Sequence, residues 1–166
     1  MKEPIVHEEV TDTKQLPYVG MTRRDFIGVL VSGIIAGLAA FVLYALLNKF
    51  VFGAVLCRTE STGDCSQAPT YSMIVAMIIS TIAGVANLAR LRIYRPLLVG
   101  LASAIALWGI HTMVAGVAWY WSALVFAVLF ALAYAVFGWV ARLRNFILAL
   151  VVTVVIVVVS RWVLVA

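Results

Sequence analysis

The stretch that decides the fold runs from Leu97 to Ala141 and reads LLVGLASAIALWGIHTMVAGVAWYWSALVFAVLFALAYAVFGWVA. Its 45 residues contain no charged side chain and no proline. A single helix of this length would extend about 68 Å, whereas the hydrocarbon core of a bilayer is about 30 Å thick. We therefore expect the chain to fold back within this stretch and to form two antiparallel membrane helices.

The turn between these two helices is expected at Gly116–Ser122, which reads GVAWYWS. The three aromatic residues Trp119–Trp121 are of the type that gathers at the interface between membrane and water. Placing them at that interface predicts a third span at residues 97–115 and a fourth at residues 123–141.

Composition extends this interpretation to the whole chain, which has 65% hydrophobic and 11% charged residues. Soluble domains have about 45–50% apolar and about 25% charged residues. Further apolar runs predict a first span at residues 26–48, a second at 71–89 and a fifth at 146–166. We predict an all-α polytopic membrane protein, with residues 21–166 forming one compact bundle of five transmembrane helices. An outer loop is expected at residues 57–69.

Basic residues predict how the bundle is oriented. Nine of the twelve Lys and Arg residues lie in the N-terminal tail or in two short junctions between apolar runs. By the positive-inside rule these regions are cytoplasmic, which places the N-terminus inside and the C-terminus outside an inner (cell) membrane. The nine residues are Lys2, Lys14, Arg23, Arg24, Arg90, Arg92, Arg95, Arg142 and Arg144.

The same arginines have a second interpretation, in which they bind the headgroups of anionic lipids. The net charge of +5 is therefore a sign of topology and of contact with the lipid bilayer, and we predict no nucleic-acid partner. Residues 1–20 contain four acidic residues and two prolines without a helical apolar period. They are predicted to form a flexible acidic cytoplasmic tail.

The segment Thr22–Ile27 reads TRRDFI and has the look of a twin-arginine export signal. The apolar run that follows is 23 residues long, from Phe26 to Asn48, whereas the apolar region of a cleavable signal has about 7–15 residues. Arg23 and Arg24 are better interpreted as the cytoplasmic end of a membrane anchor.

Two cysteines, Cys57 and Cys65, lie in the predicted outer loop with seven residues between them. An oxidising outer compartment favours a disulfide, which at this ring size contributes roughly 2–3 kcal/mol in the chain-entropy model. A redox-active pair is the alternative, although such pairs usually have two intervening residues at a helix N-terminus. A metal site is disfavoured because only Glu60 and Asp64 lie nearby.

Small and polar residues within the spans suggest how the bundle packs. Gly33 and Gly37 form a small-residue pair that allows another helix to approach closely. His111 is the only ionisable residue deep within a predicted span, and such residues often serve as proton relays or ligands. With Asn87 and Tyr134 it defines a candidate polar path. The alternative for His111 is a neutral histidine that bonds a serine, a carbonyl or water, and Asn87 and Tyr134 could equally form interhelical hydrogen bonds.

The motif ARLR occurs at Ala89–Arg92 and again at Ala141–Arg144, 52 residues later. A duplicated helix hairpin would produce this spacing, as in transporters that contain parallel repeats. Arginines required at each cytoplasmic helix end would produce it too.

No cluster of residues with a recognisable catalytic arrangement occurs in the sequence, and we predict no enzymatic activity, no metal and no cofactor. The acidic residues usual in ion-coupled transport are also missing from the spans. The leading hypothesis is a non-catalytic subunit or scaffold of a membrane assembly, with a partner membrane subunit or self-association. The alternative is a small transporter or channel component that works as a homo-oligomer.

Overall fold

The computed structural model describes residues 22–57, 65–91, 93, 95–143 and 145–165. The predicted tail, most of the predicted outer loop, Arg92 and Arg144 lie outside the described residues. The regular elements in the described ranges are helices, in agreement with the predicted all-α class.

The chain forms seven α-helices in the described regions. The first, α1, runs Arg23–Leu46 and continues through a π-helical segment, Leu47–Phe52, into a short α2, Gly53–Leu56. The others are α3 (Ala68–Arg90), α4 (Pro96–Ala106), α5 (Ile110–Met113), α6 (Trp119–Val140) and α7 (Phe146–Val165).

Three helical segments are long and apolar enough to cross a membrane. They are Arg23–Leu56, Ala68–Arg90 and Trp119–Val140, while Pro96–Ala106 and Phe146–Trp162 are shorter apolar helices. The composition and these helices together define an α-helical membrane protein.

Helix α1 begins at a capping box. The Thr22 hydroxyl accepts a bond from the Asp25 backbone N–H at 3.3 Å, and the Asp25 carboxylate accepts one from the Thr22 N–H at 3.2 Å. The segment that has the look of an export signal thus contains the N-cap and first turn of a 24-residue helix. The helix also continues past the predicted end at residue 48, because the Gly53 N–H bonds the Asn48 carbonyl within the π-helical segment.

The bundle core lies between α1, α3, α4 and α6. Gly33 and Gly37 of α1 are buried against α6, where a Cβ on Gly33 would lie 2.7 Å from the Ala131 Cα and one on Gly37 would lie 2.5 Å from the Phe126 carbonyl oxygen. These distances leave no room for a side chain. The two glycines therefore bring the backbones of α1 and α6 into direct contact.

The predicted third span, residues 97–115, is not one continuous helix. Helix α4 ends at Ala106, and the short α5 follows after a turn at Leu107–Gly109. Gly109 has φ +92°, which an α-helix cannot accommodate, and the Ile110 N–H bonds the Leu107 carbonyl at 3.2 Å across the turn. A glycine within an apolar run was compatible with a helix in the sequence, but its left-handed backbone prevents α4 and α5 from forming one continuous helix.

The chain reverses within the predicted stretch, but the three aromatic residues belong to the helix after the turn rather than to the turn itself. Gly116 has φ +83° in the turn, and α6 already begins at Trp119. Trp119–Trp121 therefore form the first turn of α6, rather than the loop before a helix starting at residue 123, and all three side chains are exposed.

Helix α7 packs at the periphery of the bundle, as its composition suggests. Among its described side chains, Ala149 and Thr153 alone are fully buried. They lie four residues apart, and the Thr153 hydroxyl donates to the Ala149 carbonyl at 2.7 Å. The β-branched residues around this short seam leave it without a clear pattern in the sequence.

Candidate functional site

The rings of five residues form a column through the bundle, which we call the aromatic ladder: His111, Tyr44, Phe126, Phe130 and Tyr134. Successive ring centroids are 6.0, 6.4, 6.5 and 6.4 Å apart. The last three are spaced by four along α6, so they lie above one another on one helix face and are buried. The two polar residues at the ends, His111 and Tyr134, are thus separated by apolar rings.

His111 lies at one end of this ladder, on α5. Its Nδ1 atom is buried and makes no hydrogen bond to any described residue. A buried nitrogen without a partner is costly, so it marks a place where water, a ligand or another chain is expected.

Asn87 lies on α3 and faces α1 rather than the ladder. Its amide nitrogen donates to the Ser32 hydroxyl at 2.7 Å. The bond links the two helices at the groove between α1 and α3, where it is partly buried. Asn87 therefore acts as an interhelical contact in this structure, one of the two alternatives left open by the sequence.

Tyr134 crosses from α6 to α3, and its hydroxyl occupies the space that a Cβ on Gly84 would need. Ser80 lies one turn earlier on α3, with a buried hydroxyl that bonds to no described residue. Phe126 and Phe130 thus separate His111 from Tyr134, whereas Asn87 lies on the same helix as Gly84, three residues further along. Their separation could not be read from the sequence, since it depends on which helix faces which.

Arg161 has a role that sequence reasoning missed. Its guanidinium donates to the Trp108 carbonyl in the turn between α4 and α5. Helix ends leave carbonyls without an intrahelical partner, and within a bilayer such groups need another donor. The last helix therefore caps the end of α4.

Cys57 and Cys65 lie together as a disulfide pair, with 4.7 Å between their Cα atoms. The pair joins the end of α2 to the chain just before α3, as the spacing predicted. No group of three or more metal-ligating side chains occurs in the part of the chain that the structure describes.

The arginine-bearing helix ends gather at the opposite end of the bundle. A Cβ on Gly28, near the start of α1, would lie 3.7 Å from a methyl group of Leu91, which follows α3. A Cβ on Gly138, near the end of α6, would lie 3.2 Å from a methyl group of Val29 in α1. Five of the predicted arginines are at this end: Arg23, Arg24, Arg90, Arg95 and Arg142.

Arg95 has well-defined contacts at this end of the bundle. It precedes α4 with φ 55°, the one positive φ of a non-glycine residue in the described ranges. Its guanidinium donates to the Leu143 carbonyl at 3.2 Å and stacks 4.9 Å from the Phe146 ring. The arginine thus lies between the start of α4 and the start of α7.

Grooves flank α7 on both sides. The α4–α7 groove has a volume of about 680 Å³, is apolar along its length and has Arg95 at one end. The α6–α7 groove has a volume of about 490 Å³ and is lined by apolar residues and Ser160. A third groove of about 450 Å³, between α1 and α3, contains Arg24, Asp25 and Asn87.

These features describe an α-helical membrane protein with a closed aromatic core and a loosely packed last helix. Comparison with protein-family models, curated proteins and solved structures finds no match to this chain.

Proposed function

We propose that this protein is a non-catalytic subunit or scaffold of a membrane assembly, and that the flank of α7 at the α6–α7 groove binds the partner. The observation that supports this most directly is the α6–α7 groove. No charged residue is among the described residues that line it, and the small side chains of Ala106 and Ala133 leave room for an approaching helix. Membrane helices associate through close packing at small residues, and such a wall suits a helix of a partner subunit.

The proposal includes five crossings of an inner membrane, with the N-terminus cytoplasmic and the C-terminus outside. Two observations support this arrangement. The arginine-bearing helix ends gather at one end of the bundle, and the disulfide lies at the other, where an oxidising compartment is expected. The broken segment of α4 and α5 would make the third crossing as two pieces joined at Gly109.

Photo-crosslinking from the groove tests the proposed subunit role. A crosslinkable residue at Leu132, which lines the α6–α7 groove, is expected to capture a second membrane protein or another copy of this chain in native membranes. A matched residue at Ile82 is similarly exposed on α3 and should capture lipid only. A purified protein that is monodisperse and free of partners, with equal crosslinking at both sites, would contradict the proposal.

The alternative, a homo-oligomeric transporter or channel component, is favoured by one specific observation. The buried Nδ1 of His111, beside the broken helix, has no hydrogen-bond partner among the described residues, and discontinuous helices often carry binding sites in transporters. The aromatic ladder weighs against a continuous polar path, since Phe126 and Phe130 fill the space between His111 and Tyr134. Unchanged flux in a His111→Ala variant, measured in proteoliposomes, would remove this alternative.

A further inference from the structure

We propose that the α4–α7 groove binds one anionic phospholipid, with an acyl chain along the groove and the phosphate at Arg95. The inference does not depend on the subunit role, because it concerns the opposite flank of α7. It follows from the shape of the groove, the charge at its end and its depth in the membrane.

The groove has the shape of a chain-binding channel. It is lined by exposed apolar side chains such as Leu97, Leu101 and Val154, and Thr153, whose hydroxyl is bonded within its own helix. No acidic residue is among the described residues that line it. An occupant that fills it must therefore be apolar along most of its length.

The length of the groove corresponds to one leaflet. Along α4 it extends from Arg95 to Ile105, and along α7 from Phe146 to Val158. At 1.5 Å per residue these distances are about 15 Å and about 18 Å, whereas half of the hydrocarbon core is about 15 Å. A lipid of the leaflet on the arginine side fits this span.

The end of the groove is electropositive. Arg95 is held there by the Leu143 carbonyl and the Phe146 ring, and the N-termini of both α4 and α7 lie beside it. Helix N-termini carry partial positive charge, and a planar guanidinium matches the geometry of phosphate oxygens. Basic sites between membrane helices on the cytoplasmic side are known to bind anionic headgroups.

Native mass spectrometry with added lipids tests the proposal on the full-length protein in mild detergent. Phosphatidylglycerol is expected to bind the wild-type protein more tightly than phosphatidylcholine, with one copy retained. Arg95→Gln should weaken phosphatidylglycerol binding about tenfold, the loss that one charge-assisted hydrogen bond implies. Arg90→Gln removes an exposed arginine outside this groove and should leave binding within about twofold.

A second pair of variants keeps Arg95 and fills the groove instead. Leu101→Trp should displace the acyl chain and reduce retention of phosphatidylglycerol, whereas Ile82→Trp, equally large and on α3, should not. Equal affinity for the two lipids, an equal effect of Arg95→Gln and Arg90→Gln, or full retention in Leu101→Trp would each overturn the proposal. The groove-filling pair decides the question if Arg95→Gln fails to fold.

Discussion

Gly33 and Gly37 determine how closely α1 and α6 can approach. A Cβ at Gly37 would lie 2.5 Å from the Phe126 carbonyl oxygen and 3.0 Å from the Ala127 Cα, and both are backbone atoms that cannot rotate away. Gly28 in the same helix is different, because its would-be Cβ lies 3.7 Å from a Leu91 methyl group. The three glycines look alike in the sequence, and only the opposing helix distinguishes them.

Gly37→Ala is therefore expected to lower the free energy of unfolding by about 1–3 kcal/mol, the usual cost of overpacking a core. Gly28→Ala, the matched control, should leave it unchanged or slightly raised, because alanine favours the helix. Unfolding in mixed detergent micelles measures both. Equal free energies for the two variants would show that α1 and α6 are not in backbone contact.

Gly84 and Tyr134 allow a paired test at the same scale. The Tyr134 hydroxyl occupies the position of a Cβ on Gly84, so Gly84→Ala should destabilise the protein by about 1–3 kcal/mol. Tyr134→Phe removes the obstructing oxygen and should restore most of that loss. A double-mutant cycle is expected to give a coupling energy of about 0.5–3 kcal/mol, and strict additivity would contradict this contact.

At the scale of elements, α4 and α5 show where sequence reasoning reaches its limit. The apolar run correctly required a reversal of the chain, and a turn with Gly116 at φ +83° lies where it was predicted. The interruption at Gly109 was not predicted, because glycine within an apolar run is common in continuous membrane helices. The Arg161 guanidinium on the Trp108 carbonyl stabilises this break, and it comes from a residue 53 positions away.

Substitution of Gly109 distinguishes a continuous helix from a broken one by the sign of the change in stability. In a continuous helix, Gly109→Ala would raise stability, because alanine is the better helix former by about 1 kcal/mol. In this structure it should lower stability by about 1–2 kcal/mol, the cost of a left-handed backbone for alanine. The would-be Cβ lies 3.6 Å from Arg161, so the cost is conformational rather than steric.

Gly109→Asn serves as the control for that interpretation. Asparagine adopts the left-handed region more readily than alanine, so its loss of stability should be smaller. Detergent unfolding of the two variants gives the comparison. Stabilisation by Gly109→Ala would mean that residues 97–115 form one helix after all.

At the scale of the whole molecule, the proposed topology is testable by cysteine labelling. In a chain with Cys57→Ser and Cys65→Ser, we expect Val117→Cys to react with a membrane-impermeant maleimide in intact cells. Asn145→Cys should react only after the membrane is permeabilised, since it lies at the arginine-bearing end. Labelling of Asn145→Cys in intact cells would show that the arginine-bearing end faces outward, which is the opposite of the proposed orientation.

The wild-type cysteines provide an independent check of the same topology. If the loop between α2 and α3 faces an oxidising compartment, neither cysteine reacts with maleimide in denatured extracts until a reductant is added. Free thiols in freshly prepared membranes would place this loop in the cytoplasm.

The sequence by itself determined the membrane class, the helical content, the cysteine pair and the ends at which arginines gather. These properties follow from local composition and spacing, because a bilayer demands apolar helices and excludes charge. The tertiary structure alone decided that Gly33 and Gly37 face α6, that Asn87 bonds Ser32, and that aromatic rings separate His111 from Tyr134. Each depends on which helix faces are opposed, and an apolar helix in a membrane has no polar face in its sequence to indicate this.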